Sequence, residues 1–436
     1  MNRNVRRDVL VAGLMLFATY LGAGNLIFPP FIGVKTGENW LIAAIGFLLT
    51  GVGLPMMGLI SLALRGGDLN AMSRRSWPWI SKFLNIIILL MIGPLFAIPR
   101  TAATTCEMSI LPFIPTDYDG KIIYIVVSAL FFTFTYFLTR KGADGLDKIG
   151  GILSPILISF LLLVTVISFV KPIGKPQASM IQDNLLYFGV KNGYQTMDGL
   201  GSIVIGGAAV AFFADKGYDK SNINKMLPYC AIISGCLMSI VYISFTWLGA
   251  SGGVQLAQYI SHRTLLLSNS MKLLVGNMGQ ILLACIIFFA CLTTSSGLTI
   301  SFTEYFYTLF NGKLSKGQLN IICVSSSFII SLIGVEGIIA LAGPILDAIY
   351  PVIIVLILLN LIDKFIKHDI VVKGGLIGSA VLIPFFLMSN FEPTKTFAKS
   401  VLTAFPLRMD GFEYIFTTIL GMLVGWILSL IFKKEQ

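Results

Sequence analysis

Leu21-Gly22-Ala23-Gly24-Asn25-Leu26-Ile27-Phe28-Pro29-Pro30 interrupts an otherwise continuous apolar run. Two glycines and an asparagine in mid-helix cost helix propensity, each glycine about 1 kcal/mol against alanine. A bilayer span tolerates exposed backbone only where protein or a water-filled cavity satisfies it. The stretch therefore reads as a helix that unwinds at Gly22-Ala23-Gly24-Asn25 and resumes toward the prolines. The bland alternative is a small-residue packing face between helices. A second interruption, Gly193-Tyr194-Gln195-Thr196-Met197-Asp198-Gly199, with Gly206-Gly207 beyond it, weighs against that alternative. Both interruptions open a set of apolar runs, and matched breaks of this kind mark inverted repeats.

Working outward, apolar runs between charged or turn-rich segments mark twelve spans. They lie at 8–33, 40–64, 80–108, 120–139, 148–170, 184–214, 226–249, 273–308, 318–334, 337–362, 371–389 and 411–432. Five is odd, so spans 1–5 (8–170) and spans 6–10 (184–362) form halves of opposite topology. Two additional helices follow at 371–432, and the whole chain, 1–436, is one transmembrane domain. The closest boundary is Gly334–Gly337, between spans 9 and 10, where Glu336 reads as a tight external turn.

Composition agrees. Of 436 residues, 56% are hydrophobic and only 12% are charged, about half the charged share of a soluble domain. Twelve helices of roughly 21 residues account for nearly all the apolar chain. A soluble enzyme is excluded, and an all-α polytopic membrane protein is expected. Arg3, Arg6 and Arg7 before the run from Val9 mimic a signal peptide, but the run continues through Pro30 into further spans, so a retained first span is expected. With the N-terminus inside, segments on that side carry 20 Lys and Arg against 10 outside, Arg100 being the remaining one. That bias places both termini in the cytoplasm of a plasma-membrane protein.

Other classes fall away. The net charge of +10 sits in short clusters, not on one stripe, so nucleic acid is not a partner. Two histidines and six cysteines without a CxxC leave no imidazole metal centre, zinc site or disulfide framework. HExxH, GxSxG and Walker A motifs are absent, which argues against an intramembrane enzyme and an ATP-driven pump. No filter-like repeat supports a channel. No cofactor and no obligate protein partner are expected, and lipid is the surrounding medium.

An unwound turn presents carbonyls from one half-helix and N–H groups from the next. The carbonyls suit a cation, and the N–H end suits a carboxylate. Asn25 adds a side-chain oxygen for the ion. Charged residues within spans are functional candidates by default, because burying one costs roughly 2.5–3.5 kcal/mol on insertion scales. Arg100 lies late in span 3 with Glu107 seven residues on. It acts either as a latch, paired with Glu107 or another acid, or as a contact for a substrate carboxylate. Asp198 either neutralises an ammonium group, pairs with Arg100 or takes a proton. Asp347 lies between Pro344 and Pro351 of span 10.

The first break, with Gly93-Pro94-Leu95-Phe96-Ala97-Ile98-Pro99-Arg100-Thr101-Ala102, Tyr194-Gln195-Thr196-Met197-Asp198 and Leu292-Thr293-Thr294-Ser295-Ser296-Gly297-Leu298-Thr299, closely resembles the bacterial branched-chain amino acid:cation symporters. These are the BrnQ-type family of the amino acid–polyamine–organocation superfamily. The resemblance runs from about Asp8 to Leu430. It implies a LeuT-type fold, a 5+5 inverted repeat with helices 1 and 6 broken, and uptake of leucine, isoleucine and valine with a cation. Substrate would bind at Gly22, Ala23, Gly24 and Asn25, at Tyr194, Thr196, Asp198 and Gly199, and at Arg100. The unwound point of span 6 is placed at Thr196–Gly199, with Gly206-Gly207 as second choice.

Span 8 carries Ala290, Thr293 and Thr294 as A-x-x-T-T, in which Ala290 and Thr293 share a helix face. In LeuT-type sodium symporters such a pattern supplies one carbonyl and two hydroxyl oxygens to sodium. By the same resemblance, carbonyls near Ala18 and Leu21 complete the shell. Five oxygens without a carboxylate suit a monovalent cation better than calcium. The alternative is that both threonines bond their own helix carbonyls. Sodium is the expected coupling ion, and the alternative is a proton-coupled transporter of another neutral amino acid.

Overall fold

A computed structural model describes residues 3–65, 75–115, 119–140, 144–405 and 412–432. Every regular element among them is helical. The first half holds α1 (Arg3–Tyr20), α2 (Ala23–Thr36), α3 (Trp40–Leu48), α4 (Leu54–Leu64), α5 (Pro78–Leu90), α6 (Ala97–Thr105), α7 (Gly120–Thr139) and α8 (Asp144–Val170). The second half holds α9 (Leu185–Tyr194), α10 (Asp198–Asp215), α11 (Lys220–Ser251), α12 (Arg263–Val275), α13 (Asn277–Leu309), α14 (Lys316–Ser331) and α15 (Gly334–Leu361). Then come α16 (Asp369–Ala380), α17 (Ile383–Met388), α18 (Glu392–Leu402) and α19 (Glu413–Phe432).

Among the described residues, nine helical stretches are long and apolar enough to cross a membrane. Gly24–Leu64 counts as one of them, joining the second half of span 1 to span 2. Span 9 falls short by length, since α14 has 16 residues, whereas α8 on span 5 runs for 27. Irregular turns have local causes. Leu49–Gly53 and Met91–Leu95 are π-helical, the second around Gly93 (φ −87°, ψ −123°) and Pro94, which has no N–H to donate. Span 3 therefore bends just before Arg100.

Contacts between loops sort the connections onto two faces. On one face Lys216 and Tyr218, after α10, bind Asp8 of α1. On the same side by span parity, Arg65 and Arg75 reach Asp363 at 2.9 and 2.6 Å, and Arg75 also reaches Asp369 at 2.5 Å. Burial pushes the Asp363 carboxyl up, but hydrogen bonds from Arg75 and Arg65 outweigh it and hold the group below its usual range. On the opposite face the Glu38 N–H donates to the Gln177 carbonyl at 2.8 Å, and Arg263 pairs with Glu336. These contacts join the connection after span 2 to that after span 10, span 1's to span 5's and span 7's to span 9's, each pairing compatible with an alternating path.

Two expectations about boundaries change. Glu336 lies in the first turn of α15, with the turn itself at Leu332–Ile333 and a φ of 83° at Gly334. Between spans 7 and 8 the chain folds into α12, which ends at Gly276, φ 82°. Small residues then set the closest packing. A Cβ on Gly374 would strike the Gly421 carbonyl oxygen and the reverse, and Gly378 and Gly425 meet backbone in the same way. Spans 11 and 12 thus cross backbone to backbone. Large apolar side chains are left exposed on the spans, such as Leu130 and Phe134 on α7 and Leu423 and Ile427 on α19.

Candidate substrate and ion site

The first break falls at Leu21-Gly22. The Gly22 N–H donates to the Tyr20 carbonyl at 2.7 Å, so the Ala18 carbonyl loses its i+4 donor. The Asn25 N–H donates to Gly22 at 3.2 Å instead of to the Leu21 carbonyl. Unwinding thus withdraws the helical donors of the two carbonyls named for the ion, Ala18 and Leu21. Ala23 and Gly24 already lie in the first turn of α2.

The second break falls at Gln195-Thr196-Met197. Met197 takes a left-handed φ of 64°, uncommon for a non-glycine residue. Thr196 donates its hydroxyl to the Gly193 carbonyl at 2.9 Å and accepts from the Asp198 N–H at 3.3 Å, which closes the turn. Asp198 is the first residue of α10, with Gly199 behind it in regular helix. Expectation and structure differ here: unwinding begins one residue before Thr196 and is over by Gly199, and Gly206-Gly207 is continuous helix. Gly199 serves packing instead, since a Cβ there would lie 2.7 Å from Leu54 and 3.0 Å from Tyr350. Tyr194, the last residue of α9, stacks on Tyr350 with ring centroids 4.2 Å apart.

The two breaks meet. The Asn25 amide donates to the Asp198 carboxylate and to the Tyr242 hydroxyl. Arg100 enters from span 3, where its guanidinium donates to the Gln195 carbonyl at 2.6 Å and to that of Thr196 at 3.4 Å. The other side of this guanidinium lies on Gly24, where an added Cβ would fall 2.7 Å from Cζ. Phe28 lies 5.9 Å away, ring centroid to Cζ. Asn25, Arg100, Asp198 and Tyr242 are all buried. Two buried atoms here, the Tyr20 hydroxyl and Gln195 Oε1, find no hydrogen-bond partner among the described residues. One belongs to each break.

The Arg100–Glu107 pairing does not form. Glu107 accepts instead from Thr264 at 2.6 Å, from the Val335 N–H at 2.9 Å and from Tyr124 at 3.2 Å, fastening α12 and the start of α15 to span 3. Asp347 pairs with Lys191 at 2.6 Å, joining span 10 to the first half of span 6.

Span 8 lies against the first break. Thr294 Oγ1 sits 3.9 Å from the place a Gly22 Cβ would occupy, and Asn25 Oδ1 is also 3.9 Å from it. The Thr293 hydroxyl donates within its own helix, to Phe289 at 3.1 Å and to Ala290 at 3.0 Å. That is the local bonding weighed above; the one hydroxyl proton is shared between the two carbonyls, and its donation to Phe289 alone would leave the Ala290 carbonyl to an ion. A hydroxyl that ligates a cation does so through its lone pair and must place its proton elsewhere, so the bond to Phe289 leaves Thr293 able to ligate. The donor set is neutral oxygen throughout, which fits a monovalent hard cation. No group of three or more His, Cys, Asp or Glu among the described residues could hold a metal ion.

Tyr242, Tyr20 and Tyr350 were not legible as site residues. They sit inside apolar runs, with no spacing that sets them apart from lipid-facing or packing aromatics.

A family model described as branched-chain amino acid transport protein matches residues 5–432. The chain belongs to that family. Branched-chain amino acid permease BraB of Bacillus subtilis (strain 168) is 35% identical over 437 residues, 97% of this chain and 96% of the relative. Branched-chain amino acid permease BrnQ of the same organism is 30% identical, covering 98% of each chain. Among solved structures, the chain is similar to Mhp1, a nucleobase-cation-symport-1 family transporter in a closed conformation with bromovinylhydantoin bound. The TM-score is 0.59 at 14% identity, over 96% of this chain and 91% of that one. That likeness carries the fold, which is LeuT-type. The protein is thus a membrane-embedded transporter of the branched-chain amino acid family and not an enzyme.

Proposed function

We propose that this transporter takes up leucine, isoleucine and valine together with sodium, by alternating access, with both termini in the cytoplasm. The observation that carries the reading is the meeting of the two breaks. Arg100 and Asn25 cross from spans 3 and 1 to the carbonyls and the carboxylate of the second break, and each break keeps one unpartnered buried polar atom. Such an atom costs about 1–3 kcal/mol unless something fills its valence. A zwitterionic cargo does so, with its charged ends among Arg100, Asp198 and the freed N–H groups and its side chain against Phe28 and Tyr350. The relatives' names supply the side-chain class.

Sodium rests on the neutral oxygens of Ala18, Leu21, Ala290, Thr293 and Thr294, set where a broken helix meets an unbroken one. An ion there ties the end of α1 at the first break to α13 and favours the conformation that also binds the amino acid. By linkage, sodium and leucine then raise each other's affinity by the same factor. The deciding experiment is leucine uptake and counterflow in proteoliposomes, with sodium and pH gradients imposed separately. Saturable uptake driven by sodium alone is the expected result. Uptake driven only by a pH gradient assigns the coupling to a proton and directs attention to Asp198, and ohmic conductance overturns the transporter mechanism.

A further inference from the structure

The bonds of Asn25 carry more than its location. Its carboxamide has two donor hydrogens on Nδ2 and an acceptor at Oδ1. Nδ2 donates both to the Asp198 carboxylate and to Tyr242, whose own hydroxyl lies 3.5 Å from the same Asp198 oxygen, Oδ2. Asp198 as a carboxylate only accepts. The three groups close a triangle in which the amide gives two hydrogens, the phenol accepts one and gives its own, and the carboxylate accepts from both. Rotating the amide by 180° would set Oδ1 against an acceptor-only carboxylate. The orientation is therefore set by chemistry, and it turns Oδ1 to the Gly22 side, beside Thr294.

We propose that Tyr242 and Asp198 are positioning residues which aim the Asn25 carbonyl oxygen at the cation held between the first break and span 8. The proposal rests on the sodium reading above. It gives Asp198, on the second half of the inverted repeat, a hold on the ion site of the first half without touching the ion. Arg100, Tyr20 and Tyr350 are the other charged or titratable groups near Asp198, from spans 3, 1 and 10. Among the described residues, the Asn25 amide donates to Asp198 and Tyr242 and to none of these three.

Tyr242→Phe removes one of the two amide partners with little change in shape. Asp198→Asn replaces an acceptor-only group by one that offers both donor and acceptor, so either amide orientation is satisfied. Both variants should raise the sodium concentration for half-maximal leucine binding about tenfold in the purified full-length protein. A merely structural role would lower thermal stability or binding capacity and leave the sodium midpoint alone. The decisive arm is Asn25→Ala, which deletes the oxygen being aimed. In that background Tyr242→Phe should shift the sodium midpoint by less than twofold. An equal shift in both backgrounds overturns the proposal, as does an unmoved midpoint in Tyr242→Phe and Asp198→Asn. Wild-type leucine binding that ignores sodium overturns the sodium reading itself and this proposal with it.

Discussion

Replacing Gly24 by alanine tests whether Arg100 is seated between the two breaks. A methyl at this position would fall 2.7 Å from Cζ and 3.3 Å from Nε of Arg100, and closer still to Nη2. Real side chains do not pack at such distances, so the guanidinium must move. It is held by carbonyls of Gln195 and Thr196 on its far side, so retreat compresses or breaks those bonds. Overpacking of this kind costs about 1–3 kcal/mol, or roughly 5- to 150-fold in a binding constant. Gly22→Ala is the control. Its nearest neighbours would lie at 3.8 Å, and its φ of −87° suits an L-residue. Leucine affinity of the purified protein, measured with thermal stability, should fall for Gly24→Ala by a factor in that range. Stability should stay near wild type for Gly22→Ala. Arg100→Ala provides the cycle: with the guanidinium gone, Gly24→Ala should cost much less than alone, because the two residues are in contact. Equal penalties at Gly22 and Gly24, or additive effects of Gly24→Ala and Arg100→Ala, would refute the seating.

Thr293→Val combined with Thr294→Ala removes both candidate hydroxyls at similar bulk, and leucine binding should lose its sodium dependence; retention of the wild-type dependence would move the ion elsewhere. Arg100→Lys should lower transport at least tenfold, since one ammonium cannot span the two carbonyls a guanidinium fork reaches, and uptake at wild-type levels would show that charge alone suffices. Glu107→Gln keeps only one acceptor oxygen for three donors, so a drop in unfolding temperature is expected, on the scale of about 1–3 kcal/mol for a group left unsatisfied. Asp363, whose carboxyl is held below its usual range, stabilises the fold above the unfolded carboxylate value of about 3.9. That contribution is lost as pH falls through the lower folded value. Asp363→Asn should therefore lower stability at pH 7 while flattening part of the acid-side decline, and an unchanged acid limb would place that decline on other carboxylates.

The fold was legible because lipid and the backbone constrain a sequence more tightly than water does. Apolar run length, glycine at two mid-span positions and the bias of Lys and Arg are each forced by the bilayer, so spans and breaks could be read from Gly22-Ala23-Gly24-Asn25 and Tyr194-Gln195-Thr196-Met197-Asp198 without coordinates. The exact unwound point of span 6 was not legible. Glycine marks flexible backbone, yet the strained turn is made by Met197 and closed by the Thr196 hydroxyl, whereas Gly199 makes room for Leu54 and Tyr350. A glycine needed for packing and one needed for unwinding look alike in a sequence.

Arg100 and Glu107 show the same limit from another side. Their spacing of seven puts both on nearly one helix face, and opposite charge at that spacing invites a pairing. One local feature separates them: Arg100 sits in regular helix, whereas Glu107 sits in a π-helical turn, Cys106–Ile110, that shifts the helix phase. Each charge then answers to a different set of partners, Arg100 to the carbonyls of the second break and Glu107 to donors from α12, α7 and the head of α15. Backbone carbonyls are invisible to any argument from residue types, and they satisfy a buried guanidinium without cancelling its charge. That leaves Arg100 beside the second break with no carboxylate in ion-pair contact among the described residues, which is why the proposed reading assigns it the anionic end of a cargo.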